Sequence, residues 1–281
     1  MRIANLAGRA VLLTDAGAVD IAGTSDGRFG ADPTALYRDW AAFTDWAAGA
    51  KLDAGTAYDV ADLGAPNPRP AQVFAIGLNY RDHARESNLP EPTDLVVFTK
   101  FASSLAGPAA EVTLSSDTVD YETELVVVIG REAHGIDSSQ AWDHVAGLAV
   151  GQDISDRRLQ LSGPAPQFSL GKSFPAFAPF GPAIVTLDEI EDRDTLWVRA
   201  SIESADGTSR SVQDGSTADL IFPVAAIIAR LSEVVTLLPG DLIFTGTPAG
   251  VGAARGRFLA EGDVLISEIE GLGVLRNRFR K

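Results

Sequence analysis

The sequence predicts an α+β, β-rich fold: a small N-terminal α+β unit over residues 1–68, then a larger strand-dominated domain over residues 69–281. Three observations carry this expectation. After Gln72, short apolar runs outnumber helical periodicities and do not alternate regularly with helices, which argues against a Rossmann or barrel repeat. Turn signals punctuate the same region at Asp206-Gly207, Pro239-Gly240-Asp241 and Glu261-Gly262-Asp263. Ahead of it lies Ala65-Pro66-Asn67-Pro68-Arg69-Pro70, which can continue neither a helix nor a central strand and is the best linker candidate.

Along the chain, Arg9–Thr14 and Ala18–Ala22 flank Asp15-Ala16-Gly17 as a hairpin. Asp32-Pro33 reads as a helix N-cap followed by proline in the first turn. Leu36, Trp40, Phe43 and Ala47 then recur at helical spacing and define one buried face. Strands are expected at Val73–Ile76, Leu95–Thr99, Thr123–Ile129, Leu148–Gln152, Ala183–Val185, Leu196–Glu203, Asp241–Phe244 and Val264–Ile269. The clearest helix is Pro223–Val234, with Val224, Ile227, Ile228 and Leu231 on one face.

With 281 residues, 46% of them apolar, the chain can bury a large core. Its 38 acidic and 23 basic side chains leave a formal net charge of -15. Such a surface repels phosphate backbones and anionic lipid, so neither nucleic acid nor a membrane surface is an expected partner. An anionic small substrate would need local cations or a metal. The absence of cysteine excludes disulfides, thiolate nucleophiles and Cys-bound zinc. Met1–Asp15 lacks the pattern of a signal peptide, and the longest apolar runs are too short to cross a bilayer, so the expectation is a cytoplasmic protein.

The chemistry-bearing residues begin at Glu122-Thr123-Glu124, the entry to a strand whose latter part is apolar throughout. Strand alternation puts Glu122 and Glu124 on one face with Val126 and Val128. Two like charges beside a buried strand repel and resist desolvation, and a divalent cation between them would relieve both costs. The plain alternative is two solvated glutamates at a strand's emergence. Asp153 ends another apolar run, Leu148–Gln152, and would complete a hard, oxygen-only set suited to Mg²⁺, Mn²⁺ or Ca²⁺.

His83 and Glu86 lie three apart in a segment that reads as a helical turn, so they can meet on one face. A carboxylate fixes an imidazole's tautomer and raises its basicity, giving a water-activating dyad, although an exposed charged turn fits equally. His134 and His144 read as surface residues. Lys172 sits among apolar neighbours, aimed at an oxyanion or snorkelling to the surface. Arg157 and Gln160 share a face if their segment is helical, and a solvated face explains them as well. Gly246-Thr247-Pro248-Ala249-Gly250-Val251-Gly252 is neither a phosphate loop nor a dinucleotide fingerprint. Its N–H groups and the Thr247 hydroxyl suit a small carboxylate, or an ordinary turn.

Together, Gly77–Glu86, Tyr121–Glu124, Gly151–Asp153, Gly171–Phe174, Gly246–Gly252 and residues 262–271 resemble the fumarylacetoacetate hydrolase superfamily, in the family's order over about residues 72–279. The resemblance is to its bacterial branch of acylpyruvases and 2-hydroxyhepta-2,4-diene-1,7-dioate isomerases. It implies a homodimer of mixed β-roll or sandwich catalytic domains, with residues 1–68 as a variable N-terminal domain. It implies Mg²⁺ or Mn²⁺ on Glu122, Glu124 and Asp153, and His83 with Glu86 as the water-activating dyad. Lys172 would take part in catalysis, Arg157 and Gln160 would face the substrate, and Thr247 would bind its carboxylate end. One departure is Phe101, which follows Lys100 where relatives often carry proline. The expected activity is hydrolysis of a C–C bond in a β-diketo acid such as an acylpyruvate. The alternatives are oxaloacetate decarboxylation, keto–enol isomerisation or hydration, and a catalytically silent metal-binding scaffold.

Overall fold

Strand Thr123–Ile129 is buried along its whole length, and the rest of the fold is laid out around it. The computed structural model describes residues 1–52 and 55–281. Leu125, Val127 and Ile129 pack to one side with Val150, Ile228 and Leu231, while Val126 and Val128 pack to the other with Phe180 and Phe244. A seven-residue run that ends in five consecutive apolar side chains can satisfy both faces only in the middle of a sheet. That is its place: Val145–Gln152 pairs with it on one edge and Leu242–Phe244 on the other.

The full sheet has 11 strands. Its main path runs Gly17–Asp20, Arg9–Thr14, Arg2–Leu6, Ala178–Val185, Val145–Gln152, Thr123–Ile129, Leu242–Phe244, Val73–Gly77 and Val96–Thr99. A second sheet of five strands runs Ser209–Ser216, Trp197–Glu203, Val264–Ile269, Gly273–Arg280 and Val112–Thr113. Gly273–Arg280 buries Leu275, Asn277 and Phe279 and exposes Val274, Arg276 and Arg278, the period-two pattern of a sheet with one wet face. Val198, Ile269 and Leu275 from this sheet meet Leu125 and Val127 of the large one, so the core lies between two layers. Helix Val224–Ser232 presents Val224, Ile227, Ile228 and Leu231 to the same core. This is an α+β architecture, as the sequence predicts.

Several local expectations are refined. The strand expected at Leu148–Gln152 begins at Val145, and the one at Ala183–Val185 begins at Ala178. The helical face of Leu36 to Ala47 starts as a 3-10 turn, Pro33–Asp39, before α-helix Trp40–Gly49. Arg2 and Ile3 pair with Val185 and Ile184, so the N-terminal strands extend the large sheet. The segment expected as a linker is not an exposed tether. Ala65, Pro66 and Asn67 are buried, and the Asn67 amide donates to the Gly240 carbonyl at 2.7 Å while accepting from the Thr34 hydroxyl at 2.9 Å. His144, expected at the surface, is also buried at 6% exposure, with a ring nitrogen 3.3 Å from the Arg131 carbonyl. His134 is exposed, as expected.

Candidate active site

The antiparallel register assembles the carboxylates. Thr123 lies opposite Gln152, so Glu122 and Asp153 are the next pair along the ladder, and the Asp153 N–H donates to the Glu122 carbonyl at 2.9 Å. Strand alternation returns Glu124 to the same face. Glu122, Glu124 and Asp153 are 7%, 2% and 0% exposed, and a carboxylate oxygen from each lies within 4.8 Å of the others.

Two lysines and an arginine hold part of this charge. Lys172 follows the short helix Phe168–Gly171 and places Nζ 2.6 Å from both Glu122 Oε2 and Asp153 Oδ2. It is buried and does not snorkel. Lys100 comes from the opposite side, donating to Asp153 Oδ1 at 2.6 Å and to the Lys172 carbonyl. Arg157 begins the helical turn Arg157–Gln160 and donates to Asp120, to Glu122 Oε1 at 2.7 Å and to Gln160 Oε1 at 2.9 Å. Burial opposes ionisation of Glu122, yet Lys172 and Arg157 outweigh it and hold the carboxyl far below the ordinary range. Glu124 has no such partner among the described residues. Burial, then the neighbouring Asp153 and Glu122, push its carboxyl well up, and only the Gly246 N–H, 2.8 Å from Oε2, is bonded to it. An oxygen-only trio with one uncompensated carboxylate fits a hard divalent cation, which would remove the repulsion that now raises Glu124.

His83 and Glu86 do meet. They sit on helix Arg81–Glu86, with His83 Nδ1 2.9 Å from Glu86 Oε1. Glu86 in turn accepts from the Gly250 N–H at 2.9 Å. Burial raises the Glu86 carboxyl, but His83 and Gly250 outweigh it and leave a net lowering, so the group is held as a carboxylate.

The glycine-rich turn proves to be a docking strip for the protein's own carboxylates. Gly246 donates to Glu124, Gly250 to Glu86, and Gly252 to Asp120 at 2.7 Å. Gly246 and Gly250 take φ values of +101° and +117°, and a Cβ on Gly250 would fall 2.0 Å from the Val212 carbonyl oxygen. Thr247 lines the same cavity, but its hydroxyl donates to the Thr123 carbonyl at 2.8 Å and accepts from Gln213 at 2.7 Å. Phe101, the sequence departure, uses its N–H on the Ser173 hydroxyl at 3.0 Å, a bond that proline could not make.

His83, Glu122, Glu124, Arg157, Gln160, Lys172 and Thr247 line one cavity of about 410 Å³. Glu86 and Asp153 are bonded directly to members of that set. Two buried charged residues join the site that the sequence reading passed over, Lys100 and Asp120. Residues 72–280 match the family described as fumarylacetoacetate (FAA) hydrolase, C-terminal. The chain belongs to the fumarylacetoacetate hydrolase family. Over 218 residues it is 43% identical to the human protein named oxaloacetate tautomerase FAHD2A, mitochondrial, covering 76% of this chain and 68% of the relative. A crystal structure from Mycobacterium smegmatis, given the designation HpcE, is 52% identical with a TM-score of 0.93, over 100% of this chain and 99% of that one. The structure of 2-hydroxyhepta-2,4-diene-1,7-dioate isomerase from Mycobacterium marinum is 30% identical with a TM-score of 0.73, over 100% of this chain and 98% of that one. The protein is thus an enzyme of a family whose members bear hydrolase, isomerase and tautomerase names. Among the described residues no helix is long and apolar enough to cross a membrane.

Proposed function

We propose that this protein is a divalent-metal-dependent hydrolase that cleaves the C–C bond between C3 and C4 of an acylpyruvate. The observation that carries the reading is the cavity itself: His83, hydrogen-bonded to Glu86, and Glu122 and Glu124 of the buried carboxylate trio line the same space. Glu122, Glu124 and Asp153 would hold Mg²⁺ or Mn²⁺, which supplies Lewis-acid stabilisation of negative charge on a 2-oxo acid. Glu86 orients His83 and favours the imidazolium that forms when His83 removes a proton from water. The hydroxide adds to the C4 carbonyl, the C3–C4 bond breaks, and its electron pair leaves on C3. Protonation at C3 gives pyruvate, and the acyl group departs as a carboxylic acid. Lys172 and Arg157 offset the charge that builds up along the way.

A second reading is keto–enol tautomerisation of a 2-oxo dicarboxylic acid, supported by the 43% identity to oxaloacetate tautomerase FAHD2A. There His83 would carry a proton from C3 and no water would add. Acetylpyruvate and oxaloacetate, each incubated with the Mn²⁺-loaded enzyme, separate the two. Acetate and pyruvate released in equal amounts support hydrolysis. Inert acetylpyruvate together with accelerated enolisation of oxaloacetate overturns it. A metal-loaded protein that changes neither compound would be the silent scaffold.

A further inference from the structure

We propose that the substrate arm beyond the 2-oxo acid is an uncharged, apolar acyl chain, and that Leu89, Val96, Phe98, Leu161 and Phe168 form its subsite. The assignment rests on reading the cavity as a 2-oxo acid site. The cavity is sharply divided in chemistry. Its charged floor is buried, with Glu122, Glu124 and Lys172 between 2% and 7% exposed. The remainder of the wall is largely apolar and ranges from buried to exposed: Phe98 is 7% exposed, Val96 39%, Leu89 53% and Leu161 58%. Phe168 is half-buried and packs edge-on against Phe98, with ring centroids 5.7 Å apart. Large apolar side chains left open at the mouth of a cavity gain by being covered.

A substrate with a second carboxylate needs a cation at the far end, and the wall offers none that is free. Its two permanent cations, Arg157 and Lys172, stand at the floor, and each is already held by two carboxylates: Arg157 by Asp120 and Glu122, Lys172 by Glu122 and Asp153. Arg85 and Arg255 are exposed and stand outside the lining. A distal carboxylate laid against Leu89, Val96, Phe98, Leu161 and Phe168 would lose water without gaining a charged partner. An alkyl chain would lose nothing. In this respect the chain departs from the 1,7-dioate named for the Mycobacterium marinum isomerase. The cavity volume of about 410 Å³ exceeds what a four-carbon acid fills and leaves room for a chain of several carbons.

Calorimetric titration of the Mn²⁺-loaded enzyme tests this with 2-oxobutanoate, 2-oxopentanoate and 2-oxoheptanoate, and with 2-oxopimelate as the dicarboxylate of the longest chain. Each added methylene is expected to tighten binding by about two- to fourfold. The 2-oxopimelate should bind roughly tenfold more weakly than 2-oxoheptanoate. Leu161→Arg, which puts a cation at the exposed rim without touching the floor, should narrow or reverse that gap. Equal or tighter binding of 2-oxopimelate by the unaltered enzyme overturns the proposal, as does an affinity that ignores chain length or an absence of binding throughout. Cleavage of hexanoylpyruvate, followed in parallel, reports on the reaction separately. Binding in the expected order without cleavage removes the hydrolase reading and leaves the acyl subsite, whereas cleavage with a dicarboxylate preference does the opposite.

Discussion

Replacing Lys100 with methionine isolates one buried charge. Lys100 is 1% exposed, and its ammonium donates to Asp153 Oδ1 at 2.6 Å and to the Lys172 carbonyl. Burial lowers its pKa, and Asp153 opposes that shift. Methionine keeps the length of the side chain and removes the charge, which leaves Asp153 with a single cation, Lys172, at its other oxygen. Breaking a buried pair by removing one partner costs about 3–5 kcal/mol, and because Lys172 remains, the lower end, about 3 kcal/mol, applies. For a chain of this size 1 kcal/mol moves Tm by about 2–4 °C, so Lys100→Met should melt roughly 6–12 °C lower without metal. Saturating Mn²⁺ restores a cation beside Asp153, and the deficit should shrink. Differential scanning calorimetry in chelator and in Mn²⁺ measures both. A metal-free Tm unchanged from the parent, or the same deficit in the two conditions, would refute the assignment of Lys100 as the counter-charge of Asp153.

Three further outcomes are expected. Glu122→Ala and Asp153→Ala should each abolish Mn²⁺ binding in a calorimetric titration, and unchanged affinity would remove that residue from the ligand set. Glu124→Gln should also lose metal, yet gain stability when metal-free. The raised Glu124 carboxyl holds its proton more firmly folded than unfolded, so metal-free stability falls as pH rises from the ordinary carboxylate range through the raised value. The glutamine variant should lose that slope and melt about 2–4 °C higher at neutral pH, on the order of 1 kcal/mol; coincident melting curves across pH would sink the idea. His83→Ala should cut acylpyruvate cleavage by about 10²- to 10⁴-fold with Mn²⁺ affinity intact, and Glu86→Gln should cost less. Full activity in His83→Ala would exclude it as the base.

The parts of the site that the sequence reveals are those set by local periodicity. Alternation along a strand places Glu122 and Glu124 together, and three-residue spacing on a helix pairs His83 with Glu86. The parts it conceals depend on distant partners. Lys100 meets a carboxylate 53 residues away, and Asp120 receives the Gly252 N–H from 132 residues away. The available signals were weak: a lone lysine directly after an apolar strand, and an acid immediately before Tyr121-Glu122. The proline-rich segment misled for the opposite reason. Its prolines do prevent regular structure, but Asn67 supplies the hydrogen bonds that let an irregular segment be buried. Thr247 reads as a free hydroxyl until Thr123 and Gln213 are seen to engage it.

The strip Gly246–Gly252 joins Glu124, Glu86 and Asp120, which belong respectively to the carboxylate trio, the His83–Glu86 pair and the arginine clamp. Those three groups therefore share one ruler. A one-residue insertion there would put all of them out of step at once, so the segment should resist changes of length even where it tolerates changes of side chain. The apolar rim carries no such obligation: Leu89, Val96 and Leu161 come from other segments and make no bond to the strip. Side chains at the rim can therefore be exchanged without disturbing the contacts that the ruler aligns.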